Sequence, residues 1–498
     1  MWARARDSLW FVPSVAALIG GVLAVAAVQI PTPRPESRLA WVWLLGGGAE
    51  GARGVLTAIA GGLITVTGTT FSVTIVALQL ASSQFTPRLL RSFVADRVNQ
   101  AVLGVFIGTF TYTLLVLRTI HSTGSGAETF VPQVGVTVAL VLLLVSIGAL
   151  IVFVNHTAQS IQASVILRRE TERTLAQIAA IFPQRVGEPA RPVPGPAATL
   201  PPGPPAVVTA AESGYLQAVH AKALWRAAGH GRGGGPVTVR MELHVGAFAF
   251  PGRPLASVWP AEAADDVVIG AIREALVLGP ERTPEQDVEY GLMELSDIAV
   301  KALSPGINDP TTATHAIDRL TEVLAALATR ERPDAARTSP DGRVHLLVRD
   351  TPFERAAGLA FDQIRHFGAD NPAIAKKLLE ALGGLGSVTP PAARAVLAVQ
   401  VEAVARAARR EIDDPVDRDG VERLAAAALA AVRDADPAPT PPRHRDDGDA
   451  QAGPRAHHGL DHGLDHGLDH GLDHGLDPDL DGGLDRRLHE RRAHPADV

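Results

Sequence analysis

Four apolar stretches in the first third of the chain restrict its fold more than anything that follows. Residues 9–30, 55–80, 101–117 and 134–154 each approach the roughly 20 residues a helix needs to cross hydrocarbon. A backbone in lipid must satisfy its polar groups internally, so these stretches predict a bundle of four spanning helices. The first, from Leu9 to Ile30, follows Arg4 and Arg6 and exceeds the roughly 7 to 15 apolar residues of a secretory signal, which makes it an uncleaved span. Arg4 and Arg6 precede span one, Arg88, Arg91 and Arg97 follow span two, and Arg168 and Arg169 follow span four. Positive charge thus marks one side three times and places both termini of a multi-pass chain on the cytoplasmic side of the membrane.

The second span is unusual for a segment in lipid, because hydroxyls and an amide run through it. At about 100° per residue, Thr65, Thr69, Ser72, Gln79 and Ser83 share one narrow arc in which Val76 is the one apolar member. Thr67, Thr70 and Thr74 lie on the opposite face. A hydroxyl can bond its own i−4 carbonyl at little cost. The Gln79 amide cannot satisfy both donors and its acceptor on one helix, so it calls for a neighbouring helix, water or a solute. Helix packing, a water-lined passage and no special role all remain open for this arc. In the third span Gly104 and Gly108 permit close approach of another helix, and Tyr112 is read as an interfacial aromatic. No Asp, Glu, Lys or Arg needs to occupy the centre of a span, which argues against a coupled transporter with a charged relay.

Arg88, Arg91 and Arg97 alternate with Phe85, Leu89, Leu90 and Phe93, the pattern of a helix lying in the headgroup layer. Residues 1–156 are therefore a transmembrane domain. Helical spacing through Ile161, Val165, Leu175, Ile178 and Phe182 continues span four as a stalk over 157–185. The proline-dense stretch 186–205 reads as an extended linker.

Between 206 and 262 the period changes to two. Val237, Val239, Met241, Leu243 and Val245 alternate with polar residues. Two flanking glycine-centred runs resemble the half-repeats of barrel-sandwich domains, which predicts a small β-barrel-like subdomain. No lysine stands at a central turn, so carrier chemistry is not implied. Residues 263–435 read as a helical domain, with a short strand near Val344 to Val348. Residues 436–498 form a tail of proline and His-Gly-Leu-Asp repeats, expected to be disordered because glycine every fourth residue opposes a helix. Its histidines could hold a metal only loosely; no metal site and no cofactor are predicted.

Within the helical domain, Asp309 before Pro310 is a helix start in the favoured order, and Pro305 and Gly306 close the preceding helix. The apex of this hairpin gathers Asn308, Asp309, Thr311, Thr312 and His315, groups that can cap the helix or hold a polar ligand. Spacing alone assembles no nucleophile, base and orienting group, so catalysis ranks below either role. With no cysteine and a formal net charge of -7, the chain offers neither thiolate chemistry nor a basic face for nucleic acid.

The runs FSVTIVALQLASSQFTPRLLRSF, GTFTYTLLVLR and DIAVKALSPGINDPTTA together resemble the bacterial family known as domain of unknown function 2254, over about Ala49 to about Ala408. The resemblance implies a membrane protein with four spans and a cytoplasmic region. The fold expected is mainly α: a four-span helical bundle, a small β-barrel-like subdomain and a helical subdomain. The functional expectation is a homo-oligomer in the lipid bilayer whose second span borders a polar passage under a cytoplasmic regulatory domain. The alternative is a membrane-anchored sensor or scaffold holding a small ligand or a protein partner at the apex.

Overall fold

The computed structural model describes residues 10–30, 48–84, 96–121, 130–181, 202–229, 237–330, 336–338, 344–347 and 352–434. The chain divides into two units, Met1–Pro439 and Thr440–Val498; the second, with the His-Gly-Leu-Asp repeats, lies outside the described residues. So do Arg88, Arg91 and most of the proline-rich linker.

Among the described residues, four helices are long and apolar enough to span a membrane: α1 (Phe11–Gln29), α2 (Ala49–Gln84), α3 (Arg97–Arg118) and α4 (Gln133–Ser160). The third is the hub, touching each of the other three. It buries Val102, Phe106, Tyr112 and Val116, together with Gly104 and Gly108. These glycines serve α1: Gly104 rests on Val12 and Ala16, and a Cβ at Gly108 would stand 2.9 Å from the Ala16 carbonyl oxygen. Gly20 of α1 lies against the Gly108 carbonyl in turn, so the two backbones meet with no side chain between them. Tyr112 is no interfacial aromatic. Its ring is fully buried and its hydroxyl donates to the Gly135 carbonyl of α4 at 2.9 Å, because a phenol held among apolar helices needs an acceptor. Ser146 of α4 donates to Leu142 O at 2.8 Å and reaches Thr109 of α3 at 3.3 Å.

A short break at Ile161 and Gln162 separates α4 from α5 (Ala163–Ile181). α5 is helical, as its spacing predicts, but it is no solvated stalk: it is part of a helical core, burying Ile166, Leu167, Thr171, Thr174 and Ile178. Its partners are α8 (Val288–Ala302) and α9 (Pro310–Thr329). α10 (Phe353–Phe367), α11 (Pro372–Val388), α12 (Pro391–Glu411) and α13 (Pro415–Asp434) complete this body around Leu295, Leu320, Phe361, Leu382, Val401 and Val421. Leu78 near the C-terminal end of α2 packs on the same core. Helix starts follow capping rules: Asn371 accepts from Ala373 and Ile374 ahead of α11, with Pro372 at the first helical position.

The β region is made of β1 (Ala206–Thr209), β2 (Gly214–Val219), β3 (Thr238–Met241), β4 (Phe248–Ala249), β5 (Pro254–Trp259), β6 (Leu276–Gly279), β7 (Ala336–Thr338) and β8 (Val344–Leu347), with α6 (Ala221–Ala228) and α7 (Asp266–Ala275). Val237, Val239, Met241 and Leu243 are buried, as the alternation predicts. The arrangement is two open sheets, in the orders β1-β5-β3-β8-β7 and β4-β2-β6, and the described residues form no closed barrel. Three strands come from beyond residue 262: β6 pairs with β2, and β8 lies parallel to β3 through Val239 and Leu346. Strand pairing at such separation is decided by tertiary packing, which a local period cannot reveal. Leu216, Leu224, Leu255, Val258 and Ile272 fill the core between sheets and helices.

Candidate functional site

The arc on α2 lies on the outside of the four-helix bundle. Thr65, Thr69, Ser72, Gln79 and Ser83 are all exposed, whereas Thr70 and Thr74 on the opposite face are buried against the bundle. The hydroxyls are mostly satisfied on their own helix: Thr65 donates to Gly61 O at 3.0 Å, Thr69 to Thr65 O at 3.0 Å and Ser83 to Leu80 O at 3.1 Å. Gln79 finds no partner among the described residues. Gly54, Gly61 and Gly68 fall on the same side with nothing within 4 Å of a Cβ built on them, which leaves a shallow ridge of small side chains beside an unmatched amide.

At the end of the bundle next to the helical body, Asp96 caps α3 by accepting from Val98 N at 2.9 Å and Asn99 N at 3.3 Å. Its other oxygen is 3.0 Å from His156 Nε2 of α4 and 3.7 Å from Arg169 Nη1 of α5. One carboxylate therefore pins three helices where the bundle gives way to the body. Arg97 follows it, exposed at the first turn of α3.

The apex residues are brought together, and capping accounts for much of their geometry. Asp309 accepts from Thr312 N at 3.0 Å and from Thr312 Oγ1 at 2.6 Å, bonds that hold its carboxyl below the usual carboxylate range. Asn308 occupies the left-handed region, with φ 47°, a conformation asparagine tolerates better than most residues. Asn308, Thr311 and His315 are exposed.

A second polar centre joins the β region to the helical body, and the sequence reading missed it. Arg282 donates to both oxygens of Asp287, at 2.7 and 2.8 Å, and approaches Glu289 at 3.5 Å. Arg355 of α10 grips Glu289 with a second bidentate pair, at 2.6 and 3.0 Å, and His244 Nε2 stands 3.8 Å away. Burial pushes the Asp287 carboxyl up against the pull of Arg282, while the bond to Glu289 raises the Arg355 guanidinium. Asp287 also caps α8 through Tyr290 N at 3.0 Å. Beside Arg355, between α8 and α10, opens a cleft of about 380 Å³ lined also by Ser296, Asp297, Glu354, Asp362 and Gln363. Asp287 directly before Val288 is the residue type that starts a helix, but no spacing marks the convergence of residues 244, 282, 289 and 355.

The profile of a family described as predicted membrane protein, domain of unknown function 2254, matches residues 6–383. An uncharacterized protein of Mycobacterium bovis and two of Mycobacterium tuberculosis strains are each 34% identical over 436 residues, covering 86% of this chain and 81% of theirs. No solved structure matches.

Proposed function

The chain belongs to this family of predicted membrane proteins, and on that premise we propose that it acts as a homo-oligomer whose copies meet through the outer face of α2 and border a polar passage there. The observation that carries the reading is the exposure of Thr65, Thr69, Ser72, Gln79 and Ser83 on the side of α2 turned away from its own bundle. An amide left to hydrocarbon is costly, and a partner helix or water relieves it. The open glycines of the same ridge suit backbone approach by a second copy. The body of α5 and α8 to α13 then serves as a cytoplasmic regulatory or assembly domain. The arginines flanking spans one, two and four support a bacterial cytoplasmic membrane with both termini inside.

Because the chain has no cysteine, a single introduced one reports without background. Ser72→Cys is expected to cross-link to a second copy in native membranes, and Leu63→Cys on the buried face is not. Reconstituted protein is expected to pass small ions or osmolytes, with the flux altered by Gln79→Leu. Absence of both cross-linking and flux retires the proposal.

A second reading, a sensor or scaffold that holds a small ligand or protein partner at the apex, draws on the exposure of Asn308, Thr311 and His315 around the left-handed Asn308. Alanine at Asn308 and Asp309 should then abolish binding with the fold intact; uniform destabilisation assigns them to capping.

A further inference from the structure

Two carboxyl side chains meet where α5 packs on α8. Glu170 and Glu294 are each 2% exposed, and Glu170 acts on Glu294 both through its charge and through a side-chain hydrogen bond. Among the described residues one cation attends them: Arg173 Nη1 lies 3.4 Å from Glu170 Oε2, with its own side chain partly in solvent. The Tyr290 hydroxyl hydrogen-bonds to Glu294, yet Glu294 Oε2 is buried without a donor. Charged side chains of the helices packed on α5 and α8 have ion-pair partners of their own. From α9, Asp318 pairs with Lys377 and Arg319 with Glu322; from α10, Arg355 pairs with Glu289 and Asp362 with Arg365. The contact cannot open to admit water without unpacking, because a Cβ at Gly291 would strike the Thr174 side chain, less than one turn along α8 from Glu294.

Two anions cannot share a dry pocket with one half-solvated guanidinium, because desolvation and mutual repulsion both oppose the second charge. A proton on Glu294 resolves both terms, removing one charge and turning that carboxyl into a hydrogen-bond donor to Glu170. We propose that the Glu170–Glu294 pair is a one-proton site and that this bound proton latches α5, the continuation of span four, onto the helical body. Burial together with the Glu170 charge pushes the Glu294 carboxyl up to about 8, in keeping with a proton held at neutral pH. When α5 leaves the body, Glu294 reverts toward its ordinary value of 4.5 and releases that proton. Docking is therefore strongest at the acid end of the interval from 4.5 to about 8 and weakens by up to about tenfold per pH unit across it. Above that interval the full penalty is in place. This site is independent of how copies associate through α2.

The test follows hydrogen exchange of residues 163–181 in the full chain in lipid nanodiscs, corrected for intrinsic rates and compared with residues 391–411, over about pH 6 to 9. Wild-type protection of α5 is expected to fall with rising pH, and Glu294→Gln, which keeps a neutral donor, should flatten that dependence. A wild type with no pH dependence, or a Glu294→Gln variant that keeps the wild-type slope, overturns the proposal. Infrared spectra supply a readout that does not depend on variant docking. The wild type should show a protonated-carboxyl band at neutral pH that disappears near pH 8, and Glu170→Gln should move that loss to lower pH. No such band in the wild type overturns the proposal as well.

Discussion

Gly246 holds φ at 89° with Asp287 and Arg282 pressed against the position a Cβ would occupy. Gly246→Ala meets backbone strain and collision together and is expected to cost at least about 2 kcal/mol, read as a lowered denaturation midpoint. Glu289 is the more consequential anion of the same centre, because it is 2% exposed and answers two guanidinium groups. Glu289→Ala is expected to cost about 3 to 5 kcal/mol by stranding charge in the interior, whereas Arg355→Ala, at a site 49% exposed, should cost less. Asp309 offers a pH signature of the opposite sense to the Glu170–Glu294 pair. Its carboxyl is held below the ordinary value of 3.8, so the cap contributes fully above that value and is lost as pH falls through the lowered one. Asp309→Ala should remove about 1 kcal/mol at neutral pH and abolish that acid-side dependence, measured by thermal unfolding at several pH values.

Helices α1 and α3 cross at Gly20 and Gly108, while α2 turns Gly61 toward open space. The same substitution should therefore have different outcomes at the two places. Gly108→Leu is expected to break the bundle and lower its thermal stability in detergent; Gly61→Leu should spare the bundle yet abolish the Ser72→Cys cross-link. The spans were legible because a run of apolar residues long enough to cross lipid has few alternatives, and Gly104 and Gly108 announced a close helix neighbour without naming α1. The strand β3 (Thr238–Met241) was legible from the period of the residues around it, as was a strand near Val344. That Val239 and Leu346 would lie side by side in one sheet was not, since neither run carries a mark of its partner. Spacing likewise gave α5 its helical form but not its burial, because a helix with one apolar stripe reads the same on a stalk and in a core.

At the scale of the whole molecule, the polar centres that matter are stitched from distant segments. His244, Arg282, Glu289 and Arg355 converge from two loops and two helices, and Asp96, His156 and Arg169 from the start of α3, from α4 and from α5. Each is an ordinary surface-type residue in a linear reading, and only folding reveals that Glu289 has no access to water. The apex could be anticipated because its chemistry is local: Asp309, Pro310 and Thr312 fall within four consecutive positions. The placement of α5 bears on how the gene can be cut. The proline-rich stretch near residue 190 invites truncation there, yet a polypeptide starting at Pro202 leaves behind the helix that supplies Ile166, Leu167 and Ile178 to the interior. Such a fragment is expected to aggregate and to be rescued by adding residues 163–181 as a separate peptide, monitored by light scattering. Heredity is constrained in the same way: recombination at the linker would hand a recipient protein an unfinished globule, so anchor and globule must be inherited as a set.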